Sequence, residues 1–273
     1  MEYPCFLTPD SKPFDPVWLA KVSEKIVTRE GEEGQERKYT AFYSVPVYRG
    51  IATGYAVGCC LRCFYCWSPL SRDFPERYGR FYSPREAFRL LVKAAREGIR
   101  YGPPYWRRLK IDKCRISGCE PTIGQRHLLA LLDLVEESSF RLFILETNGI
   151  LIGYDKSYAR DLSKYSKVHV RVSIKAGTPE GFTKRTGARG EFYELPFKAL
   201  EHLIDAGVSC HAAAMTDPRI MSREERRLII ERLAEIDAWL AANLEEEAID
   251  PYDTTLLRLA KAGVKIDFSE ETK

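Results

Sequence analysis

From Gly54 onward, short β-rich runs alternate six times with longer helical ones, and this alternation limits the fold more than any other feature of the chain. Parallel strands need a long crossover, usually a helix, so the pattern is that of repeated βαβ units around a parallel sheet. Strands are expected at residues 54–57, 109–116, 140–145, 168–174, 208–214 and 246–249. Helices are expected at 84–97, 125–138, 158–162, 194–206, 223–240 and 253–262. Ser83-Pro84-Arg85-Glu86 offers an N-cap and a proline at the first helical position, and Ala206-Gly207 offers a C-terminal glycine. Before the first strand, Trp18, Leu19, Val22 and Ile26 recur at helical spacing over 17–27. Residues 28–38, almost without apolar side chains and with two glycines, are expected to be a loop. The chain therefore divides into an N-terminal extension, 1–48, and one α/β domain, 49–273.

A content of 45% hydrophobic and 30% charged residues suits a folded soluble domain and excludes a disordered or fibrous chain. No run approaches the roughly 20 apolar residues of a membrane span, so no membrane is expected. The first five residues lack the basic start and apolar segment of a secretory signal, and the cysteines are accordingly read as belonging to a reducing cytoplasm. Net charge is only +3, but it is segregated: residues 50–126 carry 15 basic and 6 acidic side chains, residues 223–273 carry 8 and 13.

Four of the eight cysteines fall within Cys59-Cys60-Leu61-Arg62-Cys63-Phe64-Tyr65-Cys66. Thiolates are soft ligands, and such a loop brings several to one zinc ion or iron–sulfur cluster. Zinc normally takes four closed ligands in two pairs, and a second pair is missing unless Cys114 and Cys119 supply it. The spacing Cys59-x3-Cys63-x2-Cys66, with an aromatic before the last cysteine, resembles the signature loop of the radical S-adenosylmethionine (radical SAM) superfamily. That resemblance implies a [4Fe-4S] cluster held by Cys59, Cys63 and Cys66, with one iron left open for the methionine moiety of S-adenosylmethionine and Tyr65 close to the adenine. Cys60 has no counterpart in the motif and reads as a small thiol beside the loop.

Later strand ends carry polar groups that such a cofactor would need. Ser117-Gly118-Cys119-Glu120-Pro121 resembles the family's Gly-Gly-Glu-Pro segment, whose carbonyls accept from the cofactor's ammonium, with Cys119 in place of the second glycine. Glu146-Thr147-Asn148-Gly149 resembles a segment of the activating enzymes of glycyl-radical enzymes, and Asn-Gly is also a good turn. On the next strand, period two puts Arg171, Ser173 and Lys175 on one face. Polar side chains there are costly unless something polar is bound. Ser173 and Lys175 resemble the Asp-x-Lys of pyruvate formate-lyase activating enzymes, with serine replacing the aspartate. Thr186-Gly187, expected to precede a helix, continues the likeness. His211 is a candidate cofactor contact, against the plainer reading of a satisfied strand histidine. Cys5, Cys114 and Cys210 read as small hydrophobes.

The architecture implied is a partial (β/α)6 barrel of TIM type, open on one side, with its site at the carboxyl ends of the strands. The activity implied is reductive cleavage of S-adenosylmethionine to a 5′-deoxyadenosyl radical that abstracts hydrogen, with flavodoxin or ferredoxin as electron donor. A polypeptide substrate is the leading expectation; RNA or a small-molecule precursor is the alternative. The aromatic and arginine residues from Tyr101 to Arg108 keep nucleic acid as a lesser possibility. A non-catalytic zinc protein, with zinc on Cys60, Cys63, Cys66 and Cys114, is the reading from another class.

Overall fold

The computed structural model describes residues 3–269. Six parallel strands form its centre: β3 (Ile51–Ala56), β5 (Lys113–Ser117), β6 (Leu142–Thr147), β7 (Val168–Ile174), β8 (Cys210–Met215) and β9 (Glu245–Glu247). An N-terminal hairpin of β1 (Thr28–Gly31) and β2 (Gly34–Val45) extends the sheet, β2 lying antiparallel to β3, and the short β4 (Arg80–Tyr82) pairs with β2. The order is β1-β2-β3-β5-β6-β7-β8-β9, a partial barrel that does not close, as the six βα units imply.

Strand period sorts the side chains. Cys114, Ile116, Phe143, Leu145, Val170, Val172, Ala212 and Ala214 lie in one apolar core with α2 (Pro84–Glu97), α3 (Gln125–Glu136), α7 (Leu195–Asp205) and α8 (Arg223–Ile236). Each fully buried leucine there, such as Leu91 or Leu131, contributes about 1.5–3 kcal/mol. The alternate residues Arg115, Ser117, Glu146, Arg171 and Ser173 point to the concave side and are polar. A second apolar cluster joins α1 (Pro16–Val27) to the cysteine loop and α6 (Pro179–Thr186).

Several expectations are corrected. Residues 28–38 are not a loop: they form β1, a turn at Glu32-Glu33 and the start of β2. Polar side chains stabilise this hairpin in place of apolar ones, since Arg29 pairs with Glu36, and Lys38 donates from Nζ to the Pro75 carbonyl at 2.9 Å. The expected helix 223–240 breaks at extended Asp237, whose side chain caps α9 (Ala238–Ala242) by accepting from the Trp239 amide at 2.7 Å. β5 starts at Lys113, four residues later than expected, after a proline-led 3-10 turn at Pro104–Arg108 and a short irregular connection. β9 stops at Glu247 because the Ile249 amide donates to Asp217 Oδ2 at 2.9 Å. Thr186-Gly187 ends α6, a helix the periodicity did not show, with Gly187 at φ 73° as its C-cap, and the expected helix follows as α7. One unexpected helix, α4 (Ile150–Tyr154), follows β6, ahead of the expected α5 (Ser157–Leu162), and the expected α10 (Asp253–Lys261) follows β9.

Candidate functional site

The cysteine loop runs from β3 across the carboxyl ends of the strands and is held from three sides. Arg62 and Phe64 donate their amides to the carbonyls of Thr186 and Arg185 at the end of α6, at 2.9 and 3.2 Å. Arg62 Nη1 donates to the Cys59 carbonyl at 2.8 Å from within the loop. On the far side, Arg258 of α10 donates to the carbonyls of Cys66 and Ser68 and pairs with the buried Asp73, which Arg72 also contacts.

Cys59, Cys63 and Cys66 line a cavity of about 150 Å3 together with Ser117, Gly118, Cys119, Glu120, Asn148, Ser173 and Lys175. Three loop positions and the ends of three strands, β5, β6 and β7, up to 116 residues apart in sequence, thus face one space. Burial pushes the Cys63 thiol up to about 11, while donation from Cys60 brings Cys59 down to about 7. Among the described residues, no three His, Cys, Asp or Glu side chains are gathered at one point as a single ion requires. A cluster of four irons spreads its thiolates more widely, so three soft donors that share a cavity wall fit it better than zinc. The zinc set is not brought together: Cys114 faces the outer core, and Cys60 is buried towards Asn148, whose Nδ2 lies 3.2 Å from its sulfur.

The strand-end motifs hold one another. Gly118 has φ 89°, a left-handed conformation that favours glycine, and its carbonyl accepts from Ser68 Oγ. Glu120 is buried and its carboxylate is fully engaged within the chain: it accepts from Thr122 Oγ1 at 2.6 Å, Thr147 Oγ1 at 2.7 Å and the Asn148 amide at 2.8 Å. It therefore positions the end of β6. Asn148 makes the expected turn, accepting from the Ile150 amide at 3.1 Å, and also reaches the loop sulfurs. Ser117 donates to Glu146 Oε2 at 2.8 Å.

On β7, Ser173 donates to Glu247 Oε2 at 3.1 Å, Lys175 donates to Ser173, and Arg171 donates to Glu247 Oε1 at 2.8 Å. Burial acts to raise the Glu247 carboxyl, but Lys175 and Arg171 outweigh it and hold the group below its usual range. A carboxylate thus sits against Ser173, reaching it from β9 across the intervening strand β8. Tyr65 is buried in the second core with its hydroxyl unpartnered among the described residues, and Cys63 and Glu247 are among its electrostatic neighbours. His211 is not among the cavity-lining residues. It sits at the start of β8, where Nδ1 lies 2.7 Å from His169 Nε2 and Nε2 lies 3.0 Å from Glu245.

Sequence reasoning missed Arg72, Trp67 and Ser68, which line the cavity after the last loop cysteine, and Glu247. Period two through Glu245-Glu246-Glu247 was the one signal that pointed inward. Glu146 and Arg171 were visible in their motifs, and both line the wall that the cavity shares with a larger outer chamber.

The fold is similar to that of SuiB from Streptococcus suis bound to the precursor peptide SuiA, with TM-score 0.53 and 18% identity over 71% of this chain and 38% of that one. It is also similar to TYW1 with a lysine-pyruvate adduct bound, with TM-score 0.51 and 15% identity over 77% and 72% of the two chains. The structure of native anSMEcpe with bound AdoMet gives TM-score 0.50 and 19% identity over 75% and 55%. The chain thus spans well under half the length of SuiB and about half that of anSMEcpe. No curated protein is similar enough in sequence to count as a match. The family model of the radical SAM superfamily matches residues 55–233, from the end of β3 into α8, and so contains the cysteine loop and every strand end that meets it except that of β9. With that match over about two-thirds of its length, the chain belongs to the radical SAM superfamily.

Proposed function

We propose that the chain is a radical SAM enzyme acting on a polypeptide segment, as activating enzymes do, with a [4Fe-4S] cluster on Cys59, Cys63 and Cys66. Given one electron from flavodoxin or ferredoxin, the cluster and S-adenosylmethionine would supply a 5′-deoxyadenosyl radical for hydrogen abstraction. Lys175, with two protons beyond the one it gives Ser173, offers donors to the cofactor's carboxylate, while Glu247 balances Lys175 and takes the Ser173 proton. Asn148, fixed by Glu120, orients its amide on the loop sulfurs. Glu146, held by Tyr48, Arg115 and Ser117, forms the partition between cofactor cavity and substrate side.

The observation that carries the substrate reading is the outer chamber, about 870 Å3, which occupies the gap left by the open barrel. Tyr43, Val45 and Tyr48 line it from the β2 side, and Glu245, Glu247, Asp250 and Tyr252 from the β9 side. Among the described residues no strand pairs with the outer edge of β9. A slot this size, open to solvent between two sheet edges, suits a segment of a large substrate. Tyr48 keeps a left-handed backbone, φ 52°, and donates to Glu146 Oε1 at 2.7 Å, a strain worth about 1–3 kcal/mol of the kind stored at functional sites. The precursor peptide in the SuiB structure belongs to the same class of substrate.

Anaerobic reconstitution with iron and sulfide, followed by dithionite and S-adenosylmethionine, tests the reading. 5′-Deoxyadenosine formed by the wild type and absent in Cys63→Ala is the expected result; activity confined to a small molecule would remove the polypeptide part. An RNA substrate has one observation in its favour, the exposed Tyr101 (85%) and Tyr105 (65%) beside Arg107 and Arg108. RNA affinity that does not fall with salt would dispose of it.

A further inference from the structure

We infer that Cys119 is a fourth thiol ligand of the cluster while S-adenosylmethionine is absent, taking the iron that the three-cysteine loop leaves open. This rests on the reading of the loop as a cluster site. Four sulfurs face the cavity, and Cys119 is the one that comes from outside the loop. Its neighbours on both sides are tied to the residues that flank the loop. The Gly118 carbonyl accepts from Ser68 Oγ, two residues beyond Cys66, and the Glu120 amide donates to the carbonyl of Gly58, just before Cys59, at 3.1 Å. The Cys119 backbone is therefore clamped across the mouth of the loop, at the position where the related segment carries a glycine with no side chain to offer. The sulfur is not committed elsewhere: its partner is Ser71 Oγ at 4.0 Å, the outer limit for such a contact.

Thiolate is the ligand type that iron–sulfur clusters take. On coordination the thiol gives its proton to solvent and forms an Fe–S bond, with no electron transferred. When the amino and carboxylate groups of S-adenosylmethionine take the same iron, Cys119 leaves it and regains a proton. Cys119 would then close the open iron to oxygen and to adventitious ligands until the cofactor arrives.

The test uses the full chain reconstituted with 57Fe, with iron and sulfide measured first, then mildly oxidised with ferricyanide. Wild type is expected to keep four irons, and Cys119→Ala and Cys119→Ser to lose one and show the EPR signal of a three-iron cluster. Both variants should also bind S-adenosylmethionine roughly tenfold more tightly, having no ligand to displace. Serine keeps the volume of the side chain without the thiolate, so tighter binding in the alanine variant alone would mean that Cys119 acts by bulk, and would overturn the inference. Equal loss of the fourth iron in wild type and both variants overturns it as well. A wild type that assembles no cluster at all overturns the reading of the loop and this inference with it, and the initial iron and sulfide content tells these failures apart.

Discussion

Arg37, on the N-terminal hairpin, donates from Nη2 to the carbonyl of Glu120 at 2.9 Å and to that of Val57 at 3.2 Å. A residue outside the βα units thereby fixes both the end of β3 and the connection that carries Gly118 and Cys119. Arg37 is buried, and that burial lowers its pKa.

Arg37→Met keeps much of the packing and removes the donors. Leaving buried carbonyls unpaired should cost about 1–3 kcal/mol in urea unfolding. Affinity for S-adenosylmethionine should fall about tenfold, the equivalent of ~1.4 kcal/mol. Calorimetry showing unchanged affinity in a destabilised variant would confine Arg37 to a purely structural role.

Asp73 lies between two buried guanidinium groups, Arg72 and Arg258, and Arg258 also holds the carbonyls of Cys66 and Ser68. Asp73→Asn leaves two buried cations without a carboxylate, and breaking such a pair costs about 3–5 kcal/mol. Because α10 reaches the loop through this cluster, reconstituted Asp73→Asn should also lose iron faster to a chelator. Iron retention like that of wild type would separate the fold's stability from the loop's.

Stability should depend on pH through His127, whose Nε2 is 2.8 Å from Tyr39 Oη and whose Nδ1 is 2.9 Å from the Gln35 carbonyl. Burial lowers its pKa from 6.5 to about 4. Above pH 6.5 both folded and unfolded states hold it neutral and its stabilisation is complete. As pH falls towards 4 the unfolded state takes up the proton first, and stability is lost, by about 2 kcal/mol at pH 5. His127→Gln should flatten this part of the profile in urea titrations at pH 7.5 and 5. His169, also lowered to about 4 by burial, adds a loss of the same sign but smaller, because it is more exposed.

Glu247 already sets a carboxylate against Ser173, so Ser173→Asp should do harm. Two carboxylates would face each other where Ser173 now donates at 3.1 Å, and the repulsion raises one pKa and weakens cofactor binding about tenfold. Adding Glu247→Gln should restore much of that affinity. A double variant no better than Ser173→Asp alone would show that the two positions are not equivalent.

Hydrophobic and polar alternation along Val168–Ile174 was enough to place that strand at its observed bounds and to separate Val170 and Val172 from Arg171 and Ser173, since period two is a local property. The spacing of Cys59, Cys63 and Cys66 was legible for the same reason, as their shared wall needs only eight residues of chain. The first part of the hairpin, residues 28–38, was not legible, because Lys38 and Arg37 hold it by hydrogen bonds to residues far along the chain, which leave no pattern in a polar segment. Glu120 was legible as part of a strand-end motif, but the engagement of its carboxylate by Thr122, Thr147 and Asn148 was not. By itself the sequence determined the six βα units, the cysteine loop and the polar strand ends, all set by short-range periodicity and spacing. Only the tertiary structure decided that the barrel stays open between β2 and β9, that Glu247 answers Ser173, and that Cys119 lies across the loop, because each depends on contacts between segments whose separation no local pattern encodes.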